Sequence, residues 1–240
     1  MTPIKLSVIF PIYNEQKTIE NTLLEWKQVL DNLEIKYEII LAEDGSTDNT
    51  KEILFKLLSK FKGIFVSNIK EKKRGYANAI RSSIAIAKGK YILNIDSDGQ
   101  CDPNDFINFW IKRSLLDNGI IIGNRFKRKD SIQRLLMSKF FLILHRILFF
   151  SKVSDPSCPY IFSKKVFFKE INPYLTFMVE GFWWGFVAIC IKKKINIHQI
   201  KINHRLRVDG KTNVFHLHKI PSIAVKNILG LIKLKFLNIN

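Results

Sequence analysis

The sequence predicts an α/β fold: a mostly parallel, Rossmann-like sheet flanked by helices. Three observations carry the prediction: four strand-like runs separated by three helical stripes within the first hundred residues, short connections between them, and carboxylate-rich loops after three of the four runs. "LSVIFPI" reads as a buried first strand. "KTIENTLLEWKQVLDNL" sets Ile19, Leu23, Trp26 and Leu30 at helical spacing, and "YEIILA" is the second strand. "STDNTKEILFKLLSKF" follows, with Asp48 or Thr47 as N-cap and Ile53, Leu54, Leu57, Leu58 and Phe61 on one face; "GIFVSN" is the third strand. "YANAIRSSIAIAKG" places Ala77, Ile80, Ile84 and Ala87 on a stripe closed by Gly89, after which "YILNID" is the fourth.

In such sheets ligands bind beyond the carboxyl ends of the strands. Strand one ends at "PIYNE", strand two at "AEDGSTD" and strand four at "DSDGQCDP". A parallel sheet brings all three to one edge and gathers Glu15, Glu43, Asp44, Asp96 and Asp98 into one crevice. Such a concentration of negative charge calls for a cation or hydrogen-bond donors.

A chain of 240 residues suits one domain with an appendage, and 47% hydrophobic with 25% charged residues excludes disorder and coiled coil. Cys101, Cys158 and Cys190 show no pairing or zinc-ligand spacing, so buried thiols in a reducing, cytoplasmic compartment are expected. "MTPIKLSVIFPIYNE" reads as a first strand rather than a leader. The most apolar stretch, "RLLMSKFFLILHRILFFSK", is interrupted by Ser138, Lys139, His145 and Arg146, so no spanning helix is expected. Net charge is +18, and it is unevenly placed: residues 1–120 carry 17 Lys+Arg against 16 Asp+Glu, residues 121–240 carry 22 against 5. A basic half suits nucleic acid, an anionic lipid surface or a phosphorylated substrate, and charge alone does not choose among them.

Asp96, Asp98 and Gln100 stand together where the fourth strand leaves the core. By itself the spacing fits either an Asx-rich turn or a hard divalent cation, which takes oxygen ligands and is often held by two carboxylates plus substrate phosphates.

Taken together, "VIFPIYNE", "EDGSTDNT", "RGYANAIRSSIAIAKGKYILNIDSDGQCDP", "IGNRF" and "RLRVDGKTN" resemble the family 2 glycosyltransferases with a GT-A fold, and most of all their dolichol-phosphate mannose synthase and polyprenyl-phosphate branch. The resemblance spans roughly residues 4 to 215. It implies a domain over 1–215, with a nucleotide-sugar half (1–123) and an acceptor half (124–215), followed by a basic amphipathic helix over 216–240. Pro11, Tyr13 and Glu15 match the segment along the nucleotide base and ribose. Asp44 matches a base- or ribose-contacting aspartate, and Glu43 stands where the family more often has another aspartate. Asp96, Asp98 and Gln100 match the D-x-D-x-Q that binds Mg²⁺ or Mn²⁺ on the diphosphate of a UDP- or GDP-linked sugar. Arg125, Arg134, Ser138 and Arg207 resemble the positions that bind the phosphate of a polyprenyl acceptor. Asp98, Arg125 and Glu180 form the implied catalytic group, with Asp155 a further acidic candidate. Thr212 and Asn213 of "RVDGKTN" stand at a serine and a lysine position of a family loop, beside Lys211.

On a helix of about 100° per residue, Arg134, Ser138 and His145 share an arc of roughly 40°, a narrow polar stripe on an apolar cylinder. A lipid phosphate is ionised at neutral pH, so a dedicated base is dispensable, whereas a sugar hydroxyl acceptor of a capsule or glycolipid needs one. In the C-terminal segment Lys219, Lys226 and Lys233 recur every seven residues, a pattern suited to an anionic membrane surface or to packing on the domain. Trp183 and Trp184 could anchor at an interface, but paired tryptophans are more often core or groove lining. Nucleic acid is not an expected partner: the signatures of RNA modules are missing and the acidic crevice repels a phosphate backbone. The reading is a peripheral enzyme of the inner membrane face.

Overall fold

Along β1 (Leu6–Ile12), Val8 and Phe10 enter one apolar layer and Ile9 the other, as the two-residue period of a strand requires. Every residue of β1 and of β2 (Tyr37–Glu43) is buried, which is why these runs carry no polar alternation. The computed structural model describes residues 3–126, 128, 130–178, 181–207 and 220–239.

β1 pairs in parallel with β2 and with β4 (Tyr91–Asn94), and β2 pairs in parallel with β3 (Phe65–Ser67). The sheet continues through β5 (Gly119–Phe126), β6 (Ile161–Lys164) and β7 (Asn196–Asn203) in the order β3-β2-β1-β4-β6-β5-β7. β6 runs antiparallel to both β4 and β5, while β5 and β7 are parallel. Two reversals in succession restore direction, so β5 and β7 point the same way as β1, β2 and β4. The carboxyl ends of all five, and the segment entering β6, therefore lie on one edge.

Helices α1 (Ile19–Asp31), α2 (Thr50–Lys60) and α4 (Phe106–Ile111) cover one face, where Trp26 packs against Phe10, Phe106 and Tyr160. Helices α3 (Tyr76–Ile86), α5 (Ile132–Phe149), α6 (Lys165–Ile171), α7 (Phe182–Lys192) and α8 (Ile220–Phe236) cover the other. α7 is apolar almost all round and is buried from Phe182 to Cys190. α8 packs on α5 and α7, and its Asn227 lies against Gly181, whose φ of +63° and missing side chain admit it.

Several local expectations change. α2 begins at Thr50, and Asp48 serves it by accepting that residue's backbone N–H at 3.1 Å. Gly89 does not cap α3 in a left-handed conformation; it passes the backbone of Ser7, where a Cβ would stand 2.5 Å from the Ser7 nitrogen. Trp183 and Trp184 are buried, in keeping with the core or groove lining expected of the pair. The three cysteines are buried and free, as expected. Among the described residues no helix is long and apolar enough to cross a membrane.

Candidate active site

The loops after β1 and β2 are stitched together. Asn14 adopts a φ of +54°; its backbone N–H donates to Ser46 Oγ at 2.9 Å and its Oδ1 accepts the Thr47 N–H at 2.8 Å. Next to it, Glu15 receives Arg207 Nη2 on Oε1 at 2.6 Å and the Thr18 hydroxyl on Oε2 at 2.9 Å. Burial pushes the Glu15 carboxyl above its usual range, Asp98 adds to this, and Arg207 and Thr18 oppose it. The Pro11 carbonyl accepts the Ser97 hydroxyl at 2.8 Å, which ties β1 to the loop after β4.

Glu43 is fully buried and accepts the backbone N–H groups of Gly45 and Ser46, so this residue builds the turn. Asp44 accepts two more, from Arg74 at 2.8 Å and Gly75 at 2.7 Å. Gly45 makes this approach possible, with a φ of +76° and a position where a Cβ would meet the Lys73 nitrogen at 2.4 Å. The same approach sets the Lys73 ammonium 3.6 Å from the centre of the Tyr13 ring. Of the residues expected along a nucleotide, Asp44 is thus held by the backbone amides that lead into α3, and Tyr13 and Glu15 lie in the loop after β1, tied to Lys73 and Arg207.

After β4 the chain turns outward. Asp98 Oδ1 accepts the Gln100 N–H at 3.2 Å, an Asx turn with Gly99 at a φ of +73°. Asp96 Oδ1 accepts the Tyr76 hydroxyl at 2.8 Å, and that hydroxyl accepts the Trp183 indole N–H at 2.7 Å. Burial, then the Asp98 charge, pushes the Asp96 carboxyl up to about 6, with Glu15 adding and Tyr76 and Arg125 opposing. Gln100 donates through Nε2 to the Arg205 carbonyl at 3.3 Å, leaving its amide oxygen as the end suited to a cation. Turn and cation site are thus compatible readings of one loop.

This donor set fits a magnesium- or manganese-like ion. It is all oxygen, it crowds two carboxylates whose mutual repulsion a divalent charge relieves, and two carboxylates with substrate phosphates are how Mg²⁺ is usually held. Among the described residues no group of three or more His, Cys, Asp or Glu forms an all-protein cage. An ion here therefore takes its remaining oxygens from an amide, water or ligand.

On the far side of β4 the crevice turns basic. Arg125, near the end of β5, grips Asp155 with Nε at 2.6 Å and Nη2 at 2.8 Å, and Nη2 also donates to Ser157 at 2.6 Å. Burial alone would raise the Asp155 carboxyl, but Arg125 outweighs it and holds the group below its usual range. Asp130 accepts Arg128 at 2.8 Å and Arg134 at 3.0 Å. A cavity of about 220 Å³ opens here, walled by Arg125, Arg128, Ser138, Lys139, Ser157 and Trp184 among others.

The four expected phosphate contacts consequently separate. Arg125 and Ser138 wall the pocket, Arg134 pairs with Asp130 beside it, and Arg207 pairs with Glu15 in the loop after β1. Arg128, Lys139 and Tyr76 complete the surroundings without having been read as site residues from the sequence, and Trp183 joins them from α7; Tyr76 lay within the quoted "RGYANA" motif, but nothing local marks it as a partner of Asp96. Glu180, Lys211, Thr212 and Asn213 lie outside the described residues.

With this geometry, the comparisons are decisive for the family. Residues 7–190 match the model of Glycosyl transferase family 2. The chain belongs to that family. This glycosyltransferase is 27% identical over 97% of its length to a dolichyl-phosphate beta-glucosyltransferase of Dictyostelium discoideum, of which it covers 77%. It is 30% identical over 56% of its length to an undecaprenyl-phosphate 4-deoxy-4-formamido-L-arabinose transferase of Photorhabdus laumondii, of which it covers 41%. Among solved structures, glucosyl-3-phosphoglycerate synthase from Mycobacterium tuberculosis in complex with Mn²⁺, UDP and phosphoglyceric acid has a TM-score of 0.73 at 18% identity, over 99% of this chain and 80% of that one. The fold is GT-A, as the motifs implied.

Proposed function

We propose that this glycosyltransferase moves a sugar from a UDP- or GDP-linked donor to a polyprenyl phosphate, with inversion, as a peripheral enzyme on the cytoplasmic face of a membrane. The observation that carries the reading is an acidic cluster and a basic pocket side by side: Asp96 lies in the field of both Asp98 and Arg125, and Arg125 walls the pocket with Arg128, Ser138 and Lys139. The names of the relatives, one acting on dolichyl phosphate and one on undecaprenyl phosphate, support the same acceptor class.

Asp96, Asp98 and Gln100 are the residues that would hold Mg²⁺ or Mn²⁺, which when bound offsets the charge of the departing diphosphate. Tyr76 fixes the orientation of Asp96, and Ser97 fixes the loop on Pro11. Glu15, braced by Arg207, shapes the nucleotide side. The pocket cations draw the acceptor phosphate toward the anomeric carbon. Being already ionised, that phosphate attacks without losing a proton to the protein. Asp155 suits such a reaction, because a carboxylate committed to Arg125 and Ser157 is a poor proton acceptor. Glu180, by its position in the sequence, is the further catalytic carboxylate.

The test is to supply UDP- and GDP-sugars with Mg²⁺ or Mn²⁺ and polyprenyl phosphate and follow label into a butanol-extractable lipid. Metal-dependent transfer is expected. Transfer only to sugar hydroxyls, with indifference to polyprenyl phosphate, would overturn the acceptor assignment.

A further inference from the structure

Helix α5 carries apolar side chains on both sides, with Phe141 and Phe149 buried against the protein. Its polar residues Arg134, Ser138 and His145 face the protein, and His145 is fully buried with Nε2 3.2 Å from the Trp184 carbonyl. Ile132, Leu136, Phe140, Ile143 and Ile147 point outward, each at least half exposed. At about 100° per residue these five side chains share an arc of about 80°. The exposed cations Lys139 and Arg146 flank it within about 40° of one edge. Beyond those cations come Leu135, Ser138 and Leu142, which line the basic pocket.

α8 repeats the pattern. Val225, Leu229, Ile232 and Phe236 are exposed within an arc of about 60°, with Lys226 and Lys233 exposed beside it. Its opposite face packs on α5 and α7, and near its end the Lys235 ammonium lies 5.2 Å from the centre of the exposed Phe150 ring that follows α5. Neither helix contains a single Asp or Glu.

We infer that the outer faces of α5 and α8 dock the enzyme on the headgroup layer of an anionic bilayer, with α5 contributing the face that adjoins the pocket mouth. This builds on the proposed lipid acceptor. Apolar stripes of this size, rimmed by Lys and Arg and free of acids, match an interface where side chains enter the acyl boundary and cations remain among anionic headgroups. Because Lys139 belongs both to the cationic rim and to the pocket wall, docking sets the pocket at headgroup depth, where a lipid phosphate reaches it without leaving the membrane.

The experiment is sedimentation of the full chain with vesicles of phosphatidylglycerol and phosphatidylcholine, compared with phosphatidylcholine alone, for the wild type and for Ile143→Asp/Ile147→Asp and Val225→Asp/Leu229→Asp. Binding is expected to favour the anionic vesicles by about tenfold, and to fall about tenfold or more in each double variant. Thermal melting of the variants, expected to be unchanged, separates docking from folding. In parallel, transfer to a water-soluble short-chain prenyl phosphate is measured without vesicles and is expected to be equal in all three proteins. Vesicle binding that survives both double substitutions overturns the inference. So does a wild-type dimer that the substitutions dissociate while vesicle binding stays unchanged, since the stripes would then join two copies. Failure of the soluble assay with vesicle binding behaving as expected counts against the acceptor assignment and leaves the docking surface standing.

Discussion

The Tyr76 hydroxyl donates a 2.8 Å hydrogen bond to Asp96, while its oxygen accepts the Trp183 indole N–H at 2.7 Å. Asp96 is therefore oriented from outside its own loop, by the first residue of α3 and a buried tryptophan of α7. Partners of this kind fix a metal-binding carboxylate in its productive direction.

Tyr76→Phe keeps the ring and removes the hydroxyl. The manganese concentration needed for half-maximal nucleotide binding is expected to rise about tenfold. A fluorescence titration with UDP or GDP checks it, and an unchanged metal requirement would contradict the relay.

The Arg125–Asp155 pair is almost wholly withdrawn from solvent. Asp155→Ala leaves a buried guanidinium without its carboxylate and is expected to cost about 3 kcal/mol of stability, read by urea denaturation. If Asp155 were instead the catalytic base, Asp155→Asn would abolish turnover and remove a limb of the pH–rate profile. The profile is expected to keep its shape.

Burial lowers His145 from 6.5 to about 4, and its bond to the Trp184 carbonyl only partly opposes this. The unfolded chain takes up that proton first, so His145 costs stability as pH falls below about 6.5, and the cost levels off near pH 4. Between pH 7 and pH 5, His145→Leu is expected to lose about 2 kcal/mol less stability than the wild type. Parallel denaturation curves at the two pH values measure the difference.

The strands were legible where burial on both faces leaves an uninterrupted apolar run, as in β1 and β2, and the carboxylates were legible because parallel strands deliver their loops to one edge. β6 was not: four residues between two strands distant in sequence leave no pattern of their own, and only pairing with Leu93 and Ile121 defines them. The polar stripe of α5 was correctly grouped by helical angle, yet angle alone does not say which side meets the protein. Asp44 and Glu43 illustrate a similar limit. Their residue types announce a carboxylate, but not that Glu43 turns back on the amides of Gly45 and Ser46 while Asp44 meets those of Arg74 and Gly75, about 30 positions away. Arg207 sits beside Glu15 only because β7 returns parallel to β5 and delivers its end to the same edge.

Isothermal titration calorimetry of UDP and of GDP, with Mn²⁺ and with chelator, tests most directly that Asp96 and Asp98 hold a cation on a nucleoside diphosphate. Binding of at least one nucleotide in manganese, its loss in chelator and its loss in a folded Asp98→Asn variant are the predicted results. Absence of heat for both nucleotides at saturating manganese, or uptake that neither chelator nor Asp98→Asn diminishes, would contradict the account.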